Sequence, residues 1–424
     1  MLHPYFKRHK SFSPQVHQKP HPDLGLSVVL PSFNEPNLWQ SLQSLMNCTL
    51  PDTAVEVIVV VNYPENSSEE IVQNAAECVN QVNRANASIN NPNFRFFALK
   101  AFNMPKKHAG VGLARKTGMD EAAWRLLQTR SEHKIIACFD ADATCEPNYF
   151  VELANLWEKH PKTDACSIRY AHPIEGNEFD ERIYRAIAEY ELHLRYYVRC
   201  GKFIGHPFSY QTVGSSMACS AEAYVKYGGM GKSKAGEDFY FLQKFIPHGQ
   251  FQELNTTAIY PSPRISFRVP FGTGRAMTKY IETNCSAYET YSLESFLTLR
   301  KLIAEGPTRL FEATPNEIED FLKEQPEAVQ QFLIANNFVD SILEINQNTS
   351  VAEAFSKRFF LWFDAFKLLK YLNFAHEVAF KRKPISHEAS QLLKMIDATS
   401  EINFTENTTK LLLKYRELDL SPSD

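Results

Sequence analysis

No Gly-x-x-x-x-Gly-Lys-Ser/Thr occurs in the chain, which excludes a P-loop phosphate site. No Gly-x-Gly-x-x-Gly follows the first apolar run, which disfavours a nicotinamide dehydrogenase. The eight cysteines form no Cys-x-x-Cys pair, and Cys138 lies inside an apolar run. That argues against a zinc site or a disulfide framework and for a reducing compartment. No uncharged apolar stretch approaches the length of a membrane span, and no N-terminal apolar h-region marks a secretory signal. Excess positive charge is absent too: 45 Lys and Arg stand against 49 Asp and Glu, a net charge of −4. Nothing in that balance suggests a field for nucleic acid. There is no internal repeat and no coiled-coil heptad.

What is present is a series of short apolar runs, in a chain of 424 residues that is long enough for two or three domains. Leu26–Leu30, Val55–Val61, Phe94–Leu99 and Ile135–Phe139 read as strands, with helical stretches between them. Continuous Val/Ile runs in β-α-β order predict a parallel sheet wound by helices. The first strand is expected to stop at Pro31. The fourth ends in Asp140-Ala141-Asp142, whose two carboxylates would leave the same side of an extended backbone. At a strand C-terminus such a pair suits a hard divalent cation, Mg²⁺ or Mn²⁺, and a solvated acidic turn is the plainer alternative. The run from Lys106 to Arg115 is basic, contains glycine and enters a helix. Backbone amides at that helix start, with Arg115, favour phosphate; an ordinary helix-capping loop is the alternative.

Residues 1–22 hold four Lys/Arg, four His and four Pro and no acidic residue, and read as an irregular basic arm. The expected division is 1–22 as this arm, 23–275 as an α/β domain and 276–424 as a mainly helical domain. His172 and His206 sit in Pro-containing loops and are expected to be solvated. Between Ala352 and Lys383, Phe and Trp side chains interleave with Lys and Arg. A basic aromatic helix could lie on a membrane interface; the core of a helical appendage is the preferred reading.

Five segments in order carry a resemblance: LSVVLPSFNE at 26–35, VEVIVVVN at 55–62, AGVGLARKTGMDEA at 109–122, CFDADATCEPNYF at 138–150, and GSSMACSAEAYVKYGGMGKSKAGEDFYFLQKF at 214–245. The chain resembles a family 2-like glycosyltransferase of the GT-A fold. Two departures are visible. Asn62 stands where the family usually has Asp, and the Gln-x-x-Arg-Trp motif of processive polysaccharide synthases is absent.

The resemblance implies a nucleotide-diphosphate-sugar donor and a hydroxyl acceptor, saccharide, lipid-linked or small. It implies that Pro31, Phe33, Asn34, Glu35 and Asn62 hold the base and ribose, that Asp140 faces the ribose or sugar, and that Asp142 ligates Mg²⁺ or Mn²⁺ with help from Asp140. Asp238, the second carboxylate of Glu237-Asp238, would be the general base; a helix cap is its plainer role. Arg264, Arg268 and Ser215 stand as contacts for the diphosphate or the acceptor, and a linker role for the arginines weighs equally. Inversion is preferred and retention stays open. A sugar-1-phosphate nucleotidyltransferase and a non-catalytic nucleotide-sugar-binding protein are the alternatives. The expected setting is cytoplasmic, with peripheral contact at the inner face of a membrane as a variant.

Overall fold

The computed structural model describes residues 3–8, 12–234, 236–265, 277, 278, 280, 282, 287–397 and 407–420. The chain forms two compact units. The first comprises Met1–Tyr184, Thr212–Lys279 and Asp419–Asp424; the second comprises Arg185–Gln211 and Tyr280–Leu418.

In the first unit, an eight-stranded sheet has the order β3-β2-β1-β4-β7-β6-β8-β5. Its strands are β1 (Leu24–Ser32), β2 (Ala54–Pro64), β3 (Phe94–Met104), β4 (Ile135–Cys138), β5 (Thr144–Cys145), β6 (Ala165–Tyr170), β7 (Met217–Ser220) and β8 (Phe251–Tyr260). β1 runs parallel to β2 and β4, β2 to β3, and β6 to β8; β7 is antiparallel to β4 and β6, and β5 to β8. The mostly parallel sheet flanked by helices is the GT-A arrangement. β1 and β2 are buried along nearly their whole length, which is why they read as unbroken apolar runs. Helices α2 (Leu38–Met46) and α3 (Glu69–Ser88) contribute Leu42, Leu45, Cys78 and Val82 to the core around β1–β3. Helix α4 (Val111–Leu126) crosses β1 and β2, and Gly118 permits the close approach. A Cβ there would lie 2.4 Å from Val29 and 2.7 Å from Val60.

Three local expectations are corrected. β1 continues through Pro31 to Ser32, because β4 pairs only with Leu26–Val29. Beyond Val29 the strand keeps β2 as its ladder partner, so the missing proline N–H leaves no gap there. Asp140-Ala141-Asp142 is not extended: the Ala143 N–H donates to the Asp140 carbonyl at 3.1 Å and closes a β-turn. His172 is buried, not solvated.

The N-terminal arm packs. Helix α1 (Pro4–Arg8) buries Tyr5 and Phe6, and the Tyr5 hydroxyl donates to Asp120 of α4 at 2.7 Å. Backbone N–H groups of Gln15 and Val16 donate to Glu121. Arg125 donates to the Gln18 carbonyl and forms a two-pronged buried pair with Glu56. Arm residues thus satisfy the charged face of α4.

Among the described residues, the second unit is helical apart from a two-stranded pair of β9 (Glu289–Thr290) and β10 (Lys383–Pro384). Helices α5 (Tyr149–Lys159) and α7 (Ala221–Lys226) belong to the first unit, and the unit boundary falls within helix α6 (Glu181–Phe203). The α6 segment from Arg185, expected in the α/β domain, groups with the C-terminal helices. The cause is visible within the unit: Glu191 is paired with Arg195 and Arg416, and Tyr196 donates to the Tyr291 carbonyl. Phe355, Phe359, Phe363, Leu368, Tyr371 and Leu372 are buried, so the aromatic stretch is core here. His206 is buried as well. Its Nε2 donates to the Phe363 carbonyl at 3.0 Å, and burial favours the neutral ring.

Candidate active site

In an open parallel sheet, ligands bind beyond the strand C-termini where the winding reverses. Here β2 and β3 lie on one side of β1 and β4 on the other, so the reversal falls between β1 and β4. The loop Phe33–Glu35 follows β1 at that point, and the Asp140–Asp142 turn follows β4.

Arg115 gathers the site from one side. It sits one turn into α4, with its side chain only 2% exposed. Its Nη2 donates to Asp140 Oδ1 at 2.7 Å, and its Nη1 contacts Glu237 Oε1. Glycine makes room for this. A Cβ on Gly214 would come within 2.7 Å of Arg115 Nη1, and one on Gly112 within 2.1 Å of the Ser233 carbonyl oxygen. Helix α8 (Glu237–Leu242) starts after Gly236, whose φ of 68° suits glycine. The helix N-cap is therefore Gly236. Asp238 instead sits in the first turn and accepts the Phe239 N–H at 2.8 Å.

Arg264, in the segment after β8, gathers the other side. Its Nη1 donates to Glu35 Oε1 at 2.8 Å, Nη2 contacts Glu35 Oε2, and Nη2 lies 2.7 Å from Asp142 Oδ2. Glu35 is buried and also accepts the Asn37 N–H at 3.0 Å. Arg115 Nε and Arg264 Nε are buried with no hydrogen-bond partner among the described residues.

One guanidinium therefore faces Asp140 and Glu237, with Asp238 beside them. Burial, reinforced by Asp238 and Asp140, pushes the Glu237 carboxyl up to about 7 against the pull of Arg115. Asp238 is also raised, chiefly by burial, with Arg115 opposing.

The sequence-derived candidates thus fall into two clusters joined through Ala141: Asp140 with Arg115 and Glu237-Asp238, and Asp142 with Arg264 and Glu35. Each of the two aspartates is held by its own arginine. Phe33 packs partly buried against the core. Asn34 is exposed at a φ of 46°, and Pro31 lies within β1. Asn62 is buried in β2 opposite Ala101. Ser215 is buried against the Ser216 hydroxyl at 3.2 Å. Arg268 lies outside the described residues. Sequence reasoning missed Ser41, whose hydroxyl donates to the Ala141 carbonyl at 2.8 Å, and Ser44, which accepts the Cys145 N–H. Their i, i+3 spacing on α2 was a signal, but their partners lie about a hundred residues away.

No group of three or more His, Cys, Asp or Glu side chains that could hold a metal occurs among the described residues. Mg²⁺ and Mn²⁺ need fewer when a substrate phosphate shares them, since one or two carboxylates then suffice. Asp140 and Asp142, with side chains 37% and 23% exposed, are oxygen donors of that type, and the residues present fit such an ion.

The sequence matches the family model described as Glycosyl transferase family 2 over residues 27–217. That span includes Arg115, Asp140 and Asp142 and ends before Glu237. No curated protein matches. Among solved structures, S. aureus TarS is similar at 15% identity and a TM-score of 0.38, over 76% of this chain and 55% of that one. The chain thus spans about half the length of TarS. S. aureus TarS 1–349 in complex with UDP-GlcNAc gives 16% identity and 0.38, over 80% and 89% of the two chains. Mannosyltransferase PcManGT from Pyrobaculum calidifontis, in complex with GDP-Man and Mn²⁺, gives 14% and 0.36, over 98% and 93%. Residues 27–217, just under half of the chain, thus match the glycosyl transferase family 2 model, and the sheet built largely from them is the mostly parallel, helix-flanked one of the GT-A type.

Proposed function

We propose that the α/β unit transfers a sugar from a nucleotide-diphosphate-sugar donor to an acceptor hydroxyl, with inversion at the anomeric carbon. The observation that carries this reading is the Arg115 guanidinium. It ties the turn after β4 to the start of α8, and so brings the Asp140 and Glu237-Asp238 carboxylates to one place.

The residues divide the work. Glu237 is buried and committed to Arg115, and so acts as a positioning residue. Asp238 keeps more surface exposure than Glu237, which favours it as the carboxylate that meets an acceptor. As general base it accepts the hydroxyl proton while that oxygen bonds to the anomeric carbon and the bond to the diphosphate breaks. A carboxylate raised above its ordinary range by burial is the better base near neutral pH. Asp142, with Asp140, would hold Mg²⁺ or Mn²⁺, which supplies Lewis-acid stabilisation of the departing diphosphate. Glu35 and Arg264 brace the loop after β1 against the Asp142 turn, and the donor's base and ribose are placed along Phe33–Glu35 and Asn62.

The test is a panel of nucleotide sugars differing in base and sugar, incubated with Mn²⁺ and candidate acceptors. Release of nucleoside diphosphate that depends on Asp238 supports transfer. Tight donor binding with no release under any condition would favour a binding protein instead.

A further inference from the structure

Helix α2 and the residues just after it lay a stripe of small polar side chains along the segment carrying the two aspartates. Ser41 holds the Ala141 carbonyl, and Ser44 holds the Cys145 N–H at 2.9 Å. Cys48, next along the same face, ends the stripe. Its Sγ lies 3.6 Å from Cys145 Sγ, although 97 residues separate the two in sequence. Both sulfurs are free thiols in van der Waals contact. A disulfide at about 2.05 Å needs them to close by only about 1.5 Å. Cys48 is buried and Cys145 partly exposed, so the pair has one inner and one accessible member.

We propose that Cys48 and Cys145 form a disulfide-forming site, closed by a peroxide and reopened by a thiol reductant, which clamps α2 to the segment that follows Asp142. The site stands independently of the sugar-transfer reading. The Cys145 thiolate attacks one peroxide oxygen, the O–O bond breaks, and hydroxide leaves behind a sulfenic acid. The Cys48 sulfur then attacks the Cys145 sulfur. The S–S bond forms, the S–O bond breaks, and the departing hydroxide takes the Cys48 proton as water. Two thiols are oxidised and one hydrogen peroxide is reduced to two waters. The order follows from the surroundings. Cys48 Sγ donates to the Ser44 carbonyl at 3.4 Å, and its contact with Cys145 together with burial pushes its thiol up, so Cys145 reacts first.

The experiment exposes the native full chain to hydrogen peroxide, blocks remaining thiols with iodoacetamide in denaturant, and maps the peptides by mass spectrometry. The expected result is one dominant cross-link joining the Cys48 and Cys145 peptides, two hydrogens lighter than their sum and abolished by dithiothreitol. Cys145→Ser should remove it, and the wild-type map decides the matter even if that variant fails to fold. Cys145 carried on to sulfinic acid with Cys48 alkylated, both thiols alkylated, or cross-links scattered over other cysteines would each overturn the proposal.

Discussion

Arg115 Nη2 lies 2.7 Å from Asp140 Oδ1, and the same guanidinium contacts Glu237. Arg115→Gln leaves a buried carboxyl at Glu237 without its cation. Breaking such a buried pair typically costs about 3–5 kcal/mol. Urea denaturation of the variant should show that loss, and donor affinity should fall with it because the Asp140 turn loses its tether. Arg115→Lys keeps the charge but only one contact point, so it should fall between the two. An Arg115→Gln protein as stable as wild type would mean that the pair contributes nothing to holding the site.

Asp238→Asn separates a general base from a first-turn hydrogen-bond acceptor. Asn can still accept the Phe239 N–H, so the thermal midpoint should stay put. The transfer rate should drop by about 10²–10⁴-fold, the usual worth of a general base. Donor affinity should change little. A rate within a few-fold of wild type sinks the assignment and turns attention to Glu237 or to a retaining course.

Asp142→Ala addresses the metal. The fold should persist, because Arg264 retains Glu35 as its partner. Calorimetry of nucleoside diphosphate binding with and without Mn²⁺ should show the metal-dependent gain lost in the variant. Equal gain in variant and wild type would remove Asp142 from the ion's ligands.

The helical unit should lose stability in acid through His206. Burial lowers its pKa from 6.5 to about 4 in the folded state. Between those values the unfolded chain binds a proton that the folded chain does not, so stability falls as pH falls. The contribution is complete above pH 6.5, shrinks by about 1.4 kcal/mol per pH unit below it, and levels off near pH 4. The advantage of wild type over His206→Gln in chemical denaturation should therefore decline by about 3 kcal/mol across that window. A pH-independent difference would show that His206 keeps its ordinary pKa when folded. His193, lowered to about 4 by burial, pulls the same way.

The order of strands and helices in the α/β unit is legible because each apolar run is a local pattern. Val55–Val61 reads as a buried strand without knowledge of its neighbours. The aspartates after β4 and the acidic pair at α8 are visible as residue types in the right order. Their geometry is not. Pro31 reads as a strand end, yet the strand passes through it, because what matters is whether a partner needs its N–H. Asp-x-Asp reads as extended, yet it turns. The sequence by itself determined the sheet's apolar strands and the inventory of carboxylates and arginines. Only the tertiary structure decided which arginine holds which carboxylate. Arg115 meets Glu237 across 122 residues and Arg264 meets Glu35 across 229, and no periodicity in the chain encodes a contact made by closing loops of that length.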